Sequence, residues 1–285
     1  MNFLKYQIDI QYHTPDLFKV ICEKLVQEGV DLEKVRRTHI SEVDEFHVRG
    51  AEVSKELVNE IYLQGAKVLD VGCGLGGAAR MLAEQFDCHV TGIDLCKEYI
   101  LTAQKLSELV GLTDKTEFIR ANALFLPFAD GSFNIVWTQH VQMNIEDKVK
   151  FYSEIKRVLN DNGTIVYYDI FTKNGGNIRY PVPWANSAAI SFLETVPKLN
   201  TILTDLGFVK LQTKDQTPKA KQFLDNKFQK VKTNGLPNLG LNVLMGVSAK
   251  KKLVNILKGI EENKIELQSG IYRKNSAVDN IVQEA

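Results

Sequence analysis

The stretch Lys67-Val68-Leu69-Asp70-Val71-Gly72-Cys73-Gly74-Leu75-Gly76-Gly77 constrains this chain more than any other. Val68, Leu69 and Val71 form an apolar run of the length a buried parallel strand needs. Glycines end that run just before the helix-forming Ala78-Ala79-Arg80-Met81-Leu82-Ala83. The reading is a strand, a tight turn and a helix N-terminus. Gly72, Gly74 and Gly77 satisfy G-x-G-x-x-G, where missing side chains let backbone N–H groups and the positive end of a helix approach a polar or ionic ligand.

A second strand, His89-Val90-Thr91-Gly92-Ile93-Asp94, ends in an acid 22 residues after Gly72. An acid at that place can accept hydrogen bonds from the two hydroxyls of a ribose. These features leave a nicotinamide cofactor and an adenosyl-sulfonium cofactor both open. Asp70 separates them: at the mouth of the first strand its carboxylate would oppose a pyrophosphate, but would favour a ligand carrying an ammonium or a sulfonium.

Asp70-Val71-Gly72-Cys73-Gly74-Leu75-Gly76-Gly77, with Leu126-Pro127-Phe128-Ala129-Asp130-Gly131-Ser132-Phe133 downstream, resembles the motifs of class I S-adenosylmethionine (SAM) methyltransferases. The text is similar to the small-molecule branch that holds sarcosine and dimethylglycine, phosphoethanolamine, and ubiquinone or tocopherol methyltransferases. The likeness runs from about Phe46 to Gly207. It implies an α/β fold: a Rossmann-like class I methyltransferase sheet, mostly parallel with its last strand antiparallel, helices on both faces and an N-terminal helical cap. It also implies S-adenosyl-L-methionine as cofactor and a small-molecule methyl acceptor as partner.

The 285 residues suffice for a large core, and the charges sum to zero with both signs mixed, so no global field draws the protein to nucleic acid or an anionic membrane. Cys22, Cys73, Cys88 and Cys96 form no C-x-x-C pair and read as reduced thiols rather than metal ligands. With no long apolar run, the expectation is a cytoplasmic protein without stable membrane association, monomeric or homodimeric.

Thr14-Pro15 marks a helix start with Leu17, Ile21 and Leu25 on one face and Gly29 as its stop; Ser41 is placed as the cap of a second helix, and Gly50 precedes a third. Residues 1–60 thus read as a helical cap, 61–273 as the cofactor-binding domain with a substrate insertion at about 171–196, and 274–285 as a loose tail. Strands are expected at 67–71, 89–94, 116–121, 133–138 and 164–170, the fifth entered by an Asn162-Gly163 turn, then near 208–212 and 264–272. Residues 218–232 read as a helix with Phe223, Leu224, Phe228 and Val231 inward and its lysines solvated, and 239–260 as one further helix.

The resemblance assigns Gly72 and Gly74 to the methionine part of SAM, Asp70 to its ammonium, Asp94 to the ribose and Leu95 to the adenine face. Gln139 falls at the methionine side. Asn122-Ala123 stands where the family usually has Asp-Ala at the adenine amino group, and the Asn122 oxygen can still accept from an N–H. Asn134 replaces a usual aspartate and reads as structural. Past the fourth strand, His140 is the candidate general base, with a packing role as its alternative, and Gln142 and Asn144 are candidates to orient substrate. Tyr180 and Trp184 can form an aromatic wall for a methylated ammonium. Tyr6, Tyr12 and His13 are candidate lid residues, and the segment Phe46-His47-Val48-Arg49-Gly50 resembles an element that closes over the cofactor, with His47 or Arg49 at its carboxylate. An amine nitrogen is the preferred acceptor, with a phenol or quinone-type oxygen or carbon next. A nicotinamide oxidoreductase and a non-catalytic SAM-binding protein are the readings from other classes.

Overall fold

A computed structural model of the chain describes residues 11–12, 14–173 and 176–275. Tyr6, His13, the Asn174-Gly175 pair and the segment 276–285 lie outside the described residues.

Val68, Leu69 and Val71 are fully buried, and the apolar run they form is the first strand, β1 (Lys67–Val71). The chain continues through α4 (Gly77–Phe86), β2 (His89–Asp94), α5 (Lys97–Leu109) and β3 (Thr116–Arg120). It then returns across the sheet to β4 (Phe133–Gln139), followed by α6 (Lys148–Val158) and β5 (Leu159–Thr172). Ahead of β1 lie α1 (Leu17–Gln27), α2 (Arg37–Asp44) and α3 (Ala51–Val58). After β5 come α7 (Val196–Asp205), β6 (Phe208–Asp215), α8 (Thr217–Asn234), α9 (Asn242–Met245), α10 (Ala249–Glu261) and β7 (Ile265–Lys274).

The seven strands form one sheet in the order β3-β2-β1-β4-β5-β7-β6, with β7 antiparallel to both of its neighbours and the rest parallel. The parallel part is doubly wound. Strand order reverses between β1 and β4, and the carboxyl ends of these two strands open the crevice where α/β folds bind ligands. Apolar clusters cover both faces. One includes Val68, Trp137 and Val166, the other Leu69, Val136 and Ile165, the alternation that a sheet buried on both sides demands.

Local chemistry departs from the sequence reading at four places. Helix α1 begins at Leu17 with Asp16, in a left-handed conformation, as its N-cap residue, so Thr14 is not the cap. Ser41 lies inside α2, whose N-cap is Arg36, and its hydroxyl donates to the Thr38 carbonyl. Asn162-Gly163 sits in a bulge within β5 rather than at its entrance: Phe133 pairs with Leu159 and Ile135 with Thr164, and Asn162 takes φ +63°. The helix expected over 239–260 is broken, because Gly246 at φ +62° ends α9 before α10 begins.

Helix α2 is fixed to α4 by a fully buried ion pair. Arg80 donates to Asp44 Oδ2 at 2.8 Å, to the Leu75 carbonyl at 2.5 Å and to the Ala103 carbonyl at 3.2 Å. That pair carries the end of α2, Asp44-Glu45, to the mouth of the β1–β4 crevice.

Candidate active site

The turn after β1 holds Gly72, Gly74 and Gly76 at positive φ, which L side chains rarely adopt. At Gly72 a Cβ would stand 2.3 Å from Val141 Cγ2; at Gly77 it would strike the Asp44 carbonyl at 2.5 Å. The first glycine lets the loop after β4 close over the turn, and the last lets α2 approach α4. Gly74 differs: no atom stands within 4 Å of its missing Cβ, which faces open space.

That space is a cavity with room for water centres over about 170 Å³. Its floor holds Asp70, Gly72, Gly74, Asp94, Leu95, Asn122, Ala123 and Gln139, eight of the residues that the sequence reading assigns to the cofactor. Asp70 is 3% exposed and its Oδ2 has no hydrogen-bond partner. Burial, with a smaller push from Asp94, raises its carboxyl to about 7. Asp94 accepts from Gly74 N at 3.1 Å and from Cys96 N at 2.8 Å, so its carboxylate also ties the turn to the next helix. Asn122 Oδ1 accepts from Leu124 N at 3.0 Å, a local loop bond. Asn134 Oδ1 accepts from Lys67 N at 2.8 Å, a bond at the start of β1 away from the cavity.

Two further carboxyls line the cavity that the sequence reading passed over, Asp44 and Glu45. Each has a buried oxygen without a partner. Burial, then the neighbouring Asp44, lifts Glu45 to about 8, while Ser54 Oγ donates to its other oxygen at 3.1 Å. The signal in the sequence was their position directly before Phe46-His47.

Gln139 Oε1 accepts from Trp137 Nε1 at 2.8 Å and lies 3.2 Å from Ser54 Oγ, competing with Glu45 for that hydroxyl's single proton, and the Gln139 amide lies 3.4 Å from His47 Nε2. His47 also lies 3.0 Å from the Gly50 carbonyl, and burial lowers its pKa to about 4, so the ring is neutral. Arg49 does not reach the cavity. It pairs with Glu56, at 2.5 Å and 3.2 Å, and donates to Gln216 Oε1 at 2.9 Å, which withdraws it from any cofactor carboxylate.

His140 faces the cavity at φ +54°, its ring 4.9 Å from Tyr168 and 5.9 Å from His47, with Nε2 buried and unpartnered. Burial, then His47, holds its pKa well below the ordinary value. The loop beyond it is clamped by Asp169, whose Oδ2 accepts from the backbone N–H groups of Val141 and Gln142. Asn144 uses its whole amide on structure: Oδ1 accepts from Tyr12 Oη at 2.8 Å, and Nδ2 donates to the carbonyls of Trp184 and Ile190 at 2.9 and 2.8 Å. Tyr12, Asn144 and Trp184 line the cavity together.

Gln142 and Tyr180 do not line it. Gln142 points into the core toward Tyr152, and Tyr180 packs against the large apolar cluster, so the aromatic wall consists of Trp184 without Tyr180. The roof comes instead from the chain between β6 and β7, through Phe223, Leu224, Lys227, Leu241, Met245, Leu253 and Ile256. Lys227 corrects the reading of the α8 lysines as a uniformly solvated face, because its position four residues after Phe223 puts it on the apolar side.

Residues 69–167 match the family model described as "Methyltransferase domain". Phosphoethanolamine N-methyltransferase 1 of Arabidopsis thaliana is 31% identical over 191 residues, covering 64% of this chain and 37% of the relative. The chloroplastic tocopherol O-methyltransferase of the same plant is 40% identical over 100 residues, 35% of this chain and 29% of the relative. The chain spans less than half the length of the curated relatives it matches. Among solved structures, geranyl diphosphate C-methyltransferase from Streptomyces coelicolor, in complex with S-adenosylhomocysteine (SAH), superposes with a TM-score of 0.71 at 15% identity, covering 96% of this chain and 98% of that one. The match places a methyltransferase-type domain over residues 69–167, and the sheet is that of the solved methyltransferase on which the chain superposes. The chain's relatives transfer methyl to nitrogen, oxygen and carbon.

Proposed function

We propose that this chain transfers a methyl group from SAM to a small-molecule acceptor, with an amine nitrogen as the preferred target. The observation that carries the cofactor reading is the pairing of an open glycine turn with a buried, unpartnered Asp70 oxygen at the floor of one cavity. A carboxylate left without a partner is expensive unless a cation answers it. Asp70 would take the ammonium, the Gly72–Gly74 backbone the methionine part, Asp94 the ribose, and Leu95, Asn122 and Ala123 the adenine. When bound, SAM supplies a sulfonium-activated methyl group. The chain's own task is then to exclude water and align the acceptor, effects worth on the order of 7–11 kcal/mol of barrier.

The amine preference rests on Glu45. An amine attacks only when neutral, and a buried carboxyl with a free oxygen, raised to about 8, can receive its proton once ionised, so that turnover should rise toward pH 8 and above. His140 is the weaker base, since its imidazole stays neutral far below pH 6.5; its free Nε2 suits it to accept a hydrogen bond from the acceptor and orient it. An oxygen or carbon acceptor is favoured by a different feature, the apolar roof, which suits a substrate with a hydrocarbon body.

Titration calorimetry with SAM, SAH and NAD tests the cofactor reading, followed by methyl transfer to matched amine and phenol panels. Binding of both adenosyl ligands and not NAD is expected, with turnover on amines. Binding of NAD alone overturns the role given to Asp70, and turnover confined to phenols overturns the amine preference.

A further inference from the structure

The roof contains one charge. Phe223, Leu224 and Lys227 share a face of α8, and around them stand Leu241, Met245, Leu253 and Ile256, all apolar. The Lys227 ammonium lies 5.7 Å from the centre of the Phe223 ring, and among the described residues no carboxylate forms an ion pair with it. Two charges act on it, Glu42 of α2, which is exposed, and Lys230 one turn further along α8. The buried carboxyls of the floor, Asp44, Glu45, Asp70 and Asp94, are not among them. Burial outweighs Glu42, so the amine is held below its usual pKa: it is partly stripped of water and under-compensated.

A cavity so arranged has polarity. Its floor gathers buried carboxyl groups and, among the lining residues, holds no free cation; its roof is apolar and ends in a cation. We propose that Lys227 anchors an anionic group of the methyl acceptor, a carboxylate or a phosphate, while the acceptor's hydrocarbon body lies against the roof and its nucleophile faces His140 and Glu45. The proposal rests on the methyl-transfer reading and narrows its substrate class to amphipathic anions. An ammonium is a point charge able to meet either anion, and a partly desolvated one gains more from doing so than a solvated lysine.

The test is calorimetric titration of octanoate, octyl phosphate and 1-octanol into the SAH-loaded protein and into its Lys227→Met, Lys227→Arg and Glu42→Gln variants, after SAH binding has been measured on each. The wild type should bind both anions at least tenfold more tightly than the alcohol. Lys227→Met should erase that difference and leave the alcohol within twofold, and Lys227→Arg should retain it. Equal binding of all three probes by the wild type, failure of all three to bind, or an undiminished anion preference in Lys227→Met overturns the proposal. So does a uniform loss for all probes in both Lys227→Met and Glu42→Gln, which would make Lys227 a latch to α2. Failure of SAH itself to bind would instead remove the methyl-transfer reading.

Discussion

Gly72 and Gly74 stand two residues apart in one turn, yet substitution separates their roles. At Gly72 the added methyl meets Val141 at 2.3 Å and φ is +73°, so Gly72→Ala should lose on the order of 3 kcal/mol of stability, read as a fall in the urea midpoint. At Gly74 φ is +55° and space is open, so Gly74→Ala should lose about 1–2 kcal/mol for backbone strain alone. Its methyl enters the cavity, and SAH affinity should fall at least tenfold by calorimetry; unchanged affinity would mean that the ligand does not approach this turn. Glu45 gives a second prediction. Glu45→Gln keeps the Ser54 contact but cannot take a proton, so turnover of an amine should drop by about 10²-fold or more at about pH 8.5, where wild-type Glu45 is ionised, while SAH binding is kept. A variant turning over at the wild-type rate would return the proton-accepting role to water or to His140.

Two clamps hold the elements that form the cavity, and each can be opened by one change. Arg80→Met leaves Asp44 buried against α4 without its cation, so that it must take up a proton and its Oδ2 loses its partner, which should cost about 3–5 kcal/mol and displace α2 with its carboxyls. Asn144→Ala removes three hydrogen bonds joining the loop after β4, the segment around Trp184 and Tyr12. At about 1 kcal/mol each the loss should be about 3 kcal/mol, with hydrogen exchange quickening at Ile190 and Trp184 if the clamp acts between elements as described. The central strands and the glycine turn were legible because their signals are local: an apolar run, a fixed glycine spacing, an acid at the end of β2. The roof was not. Phe223 and Leu224 declare only that α8 has an inward face, and nothing local says that this face meets β1's crevice; Gly246 alone hinted that 239–260 is two helices. Gln142 and Tyr180 were misplaced for a related reason, since proximity in sequence to His140 or Trp184 does not fix which way a side chain turns out of an irregular loop.

The molecule is electrically neutral overall, but its charge is not evenly spread: Asp44, Glu45, Asp70 and Asp94 are gathered at one end of the sheet beside two histidines that stay uncharged. This gives the whole protein a pH signature. Asp70 and Asp169 are raised to about 7 and Glu45 to about 8, chiefly by burial, all above their unfolded values near 4. The folded state therefore holds these protons more tightly than the unfolded one. Stability from this source is full below about pH 4 and is lost as pH rises through 7 to 8. Glu154, depressed to about 2 by Arg157, works oppositely only below about pH 4.5; His47 and His140, both held below 6.5 by burial, work oppositely up to about pH 6.5, where the three raised carboxyls outnumber them, and not above it. The ligand-free melting temperature should fall between about pH 5.5 and 8, whereas affinity for cationic SAM should rise as Asp70 ionises. The gain in melting temperature at 1 mM SAM should thus be larger at pH 8 than at pH 5.5. Asp70→Asn should raise the ligand-free melting temperature at pH 8 and flatten its fall with pH, and should weaken SAM at both pH values. If SAM stabilises wild type equally at both pH values, the buried carboxyl is not what answers its charge, and the cation must be met by Asp94 or by the carbonyl groups of the turn.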